Sequence, residues 1–269
     1  MIPEEFTQSE NTAKEKWLAD ENYQKLIKDL KEMVSTMRKL DPNDPKMNLV
    51  KINCTKVQEH PVWKYLNGVV GISYTIAAAM LSQIDILKVH YVSQIYSYCG
   101  IANGKDKYKN NQPSYKVFLK KILMTNLVSR FISMDSEYAL YYYNRIIYLI
   151  NRDLTQIENG EMSKEFGNTI TTLKQRHTLA HIDNMAKRYM IQKFLRDFYE
   201  ASRTIMELPL LNGYVQNSGG IVHSGEDMTV WTQFVDVSPE MFKIRRIHTR
   251  KQIALLKDKI DYLIKSEGY

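Results

Sequence analysis

Cysteine is scarce in this chain: two among 269 residues, Cys54 and Cys99, neither in CxxC spacing. That excludes a disulfide framework and a cysteine-built zinc site, and leaves two reduced, buried thiols as the expectation. Long apolar runs are missing as well. The longest, around Val69–Leu81, is interrupted by Gly71, Ser73 and Thr75. It falls short of the ~20 residues needed to cross a bilayer, so no membrane span is expected. The opening MIPEEFTQSENTAKEKW is acidic and polar instead of a charged start with an apolar centre. It does not read as a secretory leader, and the expected location is the cytoplasm. There is no Walker loop, dinucleotide fingerprint or Gly-x-Ser-x-Gly elbow, and no cofactor is expected.

What the chain does hold is 44% hydrophobic residues, enough for a buried core, and an excess of 37 Lys and Arg over 30 Asp and Glu. The resulting charge of +7 and pI near 9.1 favour polyanionic partners without specifying one. The periodicity is helical almost throughout, so the expected fold class is all-α, a helix-hairpin-helix core within a multi-helix domain.

Apolar residues recur at helical spacing from Thr12 to Leu40 (Trp17, Tyr23, Leu26, Ile27, Leu30, Met33, Met37), as in an amphipathic helix or helical hairpin. The Asp41–Pro45 cluster then reads as a linker, giving an N-terminal arm over 1–48. Thr55 is expected to cap Val57–Leu66 and Ser73 to cap Tyr74–Ile84, while Val92–Cys99 ends at Gly100. A polar loop over Ile101–Pro113 leads into helices Ser114–Ser133 and Ser136–Asp153, the second capped by Asp135 or Ser136. The transposase-like region described below is thus taken as 49–153, and the basic C-terminal region as 154–269. In the latter, Leu154–Asn168 is a loop and Thr171–Glu207 a long helix that closes at Leu208-Pro209. A small irregular or β-hairpin insertion is expected near 210–237, before a final helix opened by Ser238-Pro239.

The segment Val69–Ile84 carries the most chemistry. Apolar residues flank Gly71, Ser73 follows, and alanines occupy the next helix, a pattern written hxGh(G/S)xxxA. Gly71 permits a tight turn, and the alanines allow close approach of two helices. Free amides at the start of the second helix, reinforced by its dipole, would cradle a phosphate and read backbone shape instead of bases. The alternative is an ordinary inter-helix turn before a tightly packed core helix. Val70, Gly71, Ile72, Ser73, Tyr74 and Thr75 are the residues expected to touch DNA here.

Three basic stretches extend the expectation. Lys105, Lys107, Lys109, Lys116, Lys120 and Lys121 stand against one acid, Asp106, with Tyr108 and Tyr115 between them. Lys187 and Arg188, with Lys193 and Arg196, form a second stripe. Lys243, Arg245, Arg246, Arg250 and Lys251 crowd a helix N-terminus, where the dipole disfavours cations and an external anion would relieve them. The first stretch reads equally as a solvated loop, and the last equally as solvated charges or partners of the acidic N-terminal arm. Tyr138, Tyr141, Tyr142, Tyr143 and Tyr148 invite a base-stacking reading, but helical packing is expected. His177 and His181 lie four apart near Asp183. Lacking a third ligand, they are expected to be packing histidines, with no metal bound.

From about His60 to Tyr148 the chain resembles the C-terminal domain of bridge-RNA-guided insertion-sequence transposases of the one-ten group. The residues that carry this are VVGISYTIAAAMLSQIDI, SQIYSYCGIANG, YKVFLKKILMTNLVSRFI and EYALYYYNR. Truncated phage-borne relatives of that domain add a segment similar to HTLAHIDNMAKRYMIQKFLRDFYEASR. The resemblance implies a helix-hairpin-helix domain that contacts nucleic acid. Two departures limit it. The residues ahead of the matching segment are too few for the RuvC-like nuclease domain of those transposases, and ANGKDKYKNNQP has no counterpart of their Ser-Gly pair. Ser114, the nearest hydroxyl, reads as a helix cap.

The expected function is therefore non-catalytic binding of DNA, with RNA left open, through the hairpin and basic faces. A strand-transfer enzyme that needs a partner, and a structural or interaction protein of a phage or mobile element, are the alternatives. Homo-oligomerisation is compatible with either binding reading.

Overall fold

The computed structural model describes residues 4–40, 44, 53–102, 108–109, 112–113, 115–158, 179–210 and 239–266. The fold is all-α: the described residues are 82% helical with almost no strand. The chain divides into two compact units, one comprising Met1–Met134 with Phe194–Val230, the other Asp135–Lys193 with Trp231–Tyr269. The expected boundaries near 48 and 153 do not coincide with this division.

In the first unit, helix α1 (Glu4–Ala19) is followed by α2 (Glu21–Lys39). Of the two readings of Thr12–Leu40, one helix or two, the structure has two: the run is broken at Asp20, which sits in extended backbone and accepts the Tyr23 amide on its carboxylate at 3.1 Å. A side chain that caps so well ends one helix and starts the next. Leu26, Leu30 and Val34 line the buried face of α2, and α2 packs against α4 (Tyr74–Gln83). Residues 21–39 of the expected arm therefore pack into the core of this unit, where burying each such side chain is worth about 1.5–3 kcal/mol.

The expected helix Val57–Leu66 is instead a 3-10 turn, Cys54–Glu59, and a short helix, α3 (Trp63–Gly68). Pro61 separates them, because proline lacks an amide donor and disfavours helix at His60, whose ψ is 134°. The buried His60 Nδ1 accepts the Val62 amide at 3.1 Å, replacing the lost backbone bond. Burial holds the His60 imidazole neutral, its pKa pushed down to about 4.

Helix α4 is buried from Ile76 to Ser82, almost all round, so its alanines pack against neighbours on several sides. A 3-10 turn at Ile86–Lys88 leads to α5 (Val92–Tyr98). It ends at Gly100, whose φ of +67° is the left-handed closure expected of it. Tyr108–Lys109 pairs antiparallel with Gln112–Pro113, the two strands of the described chain. Helix α6 (Val117–Lys121) continues through a π-helical segment, Ile122–Leu127, into α7 (Val128–Ser133). Helix α6 begins at Val117, three residues inside the expected start at Ser114, with Lys116 at its N-cap position.

The second unit holds α8 (Glu137–Glu158) and α10 (Pro239–Ser266). The long helix α9 (Leu179–Ile205) gives its first half to this unit and the rest to the first. Helix α8 runs five residues past the expected end at Asp153, no proline or glycine intervening before Gly160. Ile146, Leu149, Ile150, Ile182, Ala186 and Leu256 form the core where α8, α9 and α10 meet. The expected insertion near 210–237 and most of the expected loop 154–168 lie outside the described residues, as do Ser114 and His177.

Candidate nucleic-acid interface

The segment between α3 and α4 is built around Gly71. The Ile72 amide donates to the Val69 carbonyl at 3.2 Å, closing a turn in which Gly71 adopts φ +102°, a region that only glycine enters freely. A Cβ at this position would stand 2.9 Å from Cδ1 of Phe131, a buried ring. Ser73 then takes the N-cap of α4. Its hydroxyl accepts the Ile76 amide at 3.4 Å and its carbonyl the Ala77 amide at 2.9 Å. With φ of −106° it has no need of the glycine that the pattern would also allow. Among the described residues the amides of Tyr74 and Thr75 have no acceptor, so the exposed start of α4 retains two donors of the kind an anion binds.

One cation beside this turn is absent from the sequence expectation. Arg130 of α7 donates from Nε to the Gly71 carbonyl at 2.7 Å. The bond anchors the turn on α7 and fixes the guanidinium beside it, half-buried and without a carboxylate partner among the described residues. Gly71 and Arg130 are 59 positions apart, so only the packing of α4 on the α6–α7 run could reveal the pair. On the other flank, Trp63 stacks on Tyr74 with centroids 4.9 Å apart and planes 19° from parallel. Gln58 Nε2 donates to the Tyr74 hydroxyl at 2.7 Å. Val70 and Tyr74 are exposed, Ile72 and Thr75 half-buried, and Gly71 buried.

The lysine stretch does not coincide with the turn. Lys121 precedes Arg130 by nine helical residues, about 13 Å at a rise of ~1.5 Å per residue. Lys116 lies exposed over the Tyr98 ring at 5.9 Å. Lys120 lies over Tyr115 at 4.5 Å and donates to its hydroxyl at 3.4 Å, while Lys121 is exposed. Lys109 pairs through its backbone with Gln112; Lys105 and Lys107 lie outside the described residues.

In the second unit, Lys243, Arg245, Arg250 and Lys251 are exposed on α10. Arg246 is engaged inside the unit, in an ion pair with Asp135 and a 3.0 Å hydrogen bond from Nε to the Tyr143 hydroxyl. Lys187 is tied to Asp183 at 2.5 Å, and the same carboxylate accepts the Tyr142 hydroxyl at 2.8 Å. Arg188 is half-buried. The tyrosine run divides: Tyr138, Tyr141 and Tyr143 are buried, Tyr142 is half-buried, and Tyr148 is exposed.

Both thiols are buried, and burial pushes Cys99 up to about 12, far from the reactive range. Among the described residues no three His, Cys, Asp or Glu side chains are grouped to hold a metal. No described helix is long and apolar enough to cross a membrane. No protein-family model, curated protein or solved structure matches the chain.

Proposed function

We propose that this protein binds nucleic acid without catalysing its rearrangement, gripping the phosphate backbone at the turn between α3 and α4. The observation that carries this reading is the pairing of a glycine-built turn with a cation that no local carboxylate neutralises. Arg130 is held to the Gly71 carbonyl at 2.7 Å, next to a helix start with free amides. A fixed guanidinium and backbone donors match phosphate oxygens in geometry and charge. The exposed Lys116, Lys121, Lys243, Arg245 and Arg250 add attraction that carries no sequence information.

On this reading α3, the turn and α4 act as a helix-hairpin-helix inherited from a transposase C-terminal domain, with DNA as the expected partner. The test is a mobility-shift titration with duplex and branched DNA in low salt. Retardation that weakens steeply as salt rises is expected, and no shift at the lowest salt would sink the proposal.

A second reading, an interaction component of a larger assembly, draws on α10. Ile244, Ile247, Leu255 and Tyr262 are all exposed along one face of that helix, opposite the buried Thr249 and Leu256. A salt-insensitive oligomer with no affinity for nucleic acid would favour it over the first.

A further inference from the structure

Helix α8 places Arg145 and Tyr148 one turn apart, where side chains at i and i+3 meet. The Arg145 guanidinium carbon lies 4.9 Å from the Tyr148 ring centroid and 4.9 Å from that of Tyr189 on α9. Among the described residues Arg145 has no carboxylate within ion-pair distance. With no carboxylate on them, its N–H donors can serve an anion. Tyr148 differs from the buried rings of its own run: it is 56% exposed, and no other described ring packs on it. The core residues Ile146, Leu149 and Ile182 hold α8 and α9 in place beneath this arrangement.

A tyrosine ring more than half exposed, next to an arginine that lies over it and has no carboxylate partner, is a combination that can take a phosphate and a planar base together. Resting on the nucleic-acid reading above, we propose that Arg145, Tyr148 and Tyr189 form a second contact site, for an unpaired nucleotide. The base stacks on Tyr148 and the phosphate lies against the Arg145 edge. In a duplex the bases are already stacked on one another, so the site discriminates for single strands or for a strand opened at a branch.

Fluorescence anisotropy with the full chain tests this, using a labelled oligothymidylate, a duplex of the same length, and free adenosine monophosphate as a third arm by equilibrium dialysis. Tyr148→Ala should weaken the single strand about tenfold, as expected for losing one stacked base, and leave the duplex within about twofold. Tyr148→Phe should bind like the parent. Arg145→Lys, which keeps the charge but not the plane, should fall with Tyr148→Ala. Equal losses on single strand and duplex, or no loss on either, would overturn the site. If neither oligomer binds the parent chain but adenosine monophosphate binds and is lost in Tyr148→Ala, the turn between α3 and α4 is refuted while this site stands as a mononucleotide site. Absence of binding in all three arms refutes both.

Discussion

Gly71 is the residue whose replacement says most about the turn. Alanine there must adopt a left-handed φ and place a methyl 2.9 Å from the Phe131 ring, so Gly71→Ala is expected to destabilise the first unit by about 1–3 kcal/mol. Urea unfolding monitored by circular dichroism measures that loss; a stability within experimental error of the parent would mean that the turn relaxes freely. His60 supplies a pH dependence. Its folded-state pKa, pushed down to about 4 by burial, lies below the ordinary value of 6.5, so the unfolded chain takes up the proton first. Stability is then greatest above pH 6.5 and declines as pH falls toward 4, by about 2 kcal/mol between pH 7 and 5. Protonation also converts Nδ1 from the acceptor of the Val62 amide into a donor. Unfolding curves at the two pH values should show this loss, and His60→Gln should remove most of it.

At the scale of elements, local chemistry was the legible part. Ser73 as a cap and Gly100 as a helix end could be read in the sequence, because each acts within one turn of its own position. Pro61 carried its signal too, and its interruption of Val57–Leu66 follows from a missing donor. That Thr12–Leu40 could be two helices was readable, but the break at Asp20 was not: one carboxylate in a run of charges differs from its neighbours only in the backbone it caps. What the sequence did not disclose was long-range pairing. Arg203 is fully buried near the end of α9, where it donates to Glu10 of α1 at 2.8 Å and to the Pro209 carbonyl at 2.8 Å, with a further bond to the Val89 carbonyl. Burial alone would raise the Glu10 carboxyl, but the Arg203 hydrogen bond and the charges of His90, Arg203 and Lys14 prevail and hold it below its ordinary value. The pair therefore contributes stability above pH 4.5 that is lost as pH falls through the lowered value. Replacing Arg203 leaves the buried Glu10 carboxylate facing Lys14 and His90 without its strongest partner, and takes the donor from the Val89 and Pro209 carbonyls. Arg203→Met is expected to lose about 3–5 kcal/mol and to expose α1 to protease at sites that are protected in the parent. Unchanged cleavage and stability would show that α1 docks without this pair.

For the whole molecule, the all-α class was readable from periodicity alone, but its division into units was not. A sequence suggests boundaries where composition changes, at Asp41–Pro45 for instance, whereas units form where buried faces meet. The faces of α2 and α4 meet across that cluster. The candidate interface divides in the same way. Its turn could be anticipated from Gly71, yet its cation is Arg130, contributed 59 residues later, and Arg246, one of the expected cations, is engaged with Asp135 and Tyr143. Nucleic-acid binding through this turn is tested most directly by the salt dependence of duplex affinity, compared between the parent chain and Arg130→Ala. The parent should bind at low salt with log affinity falling linearly against log salt, and Arg130→Ala should bind more weakly with a slope shallower by about 0.9, the value of one phosphate contact. Identical affinity and slope in the two proteins, or no binding by the parent, would contradict the assignment.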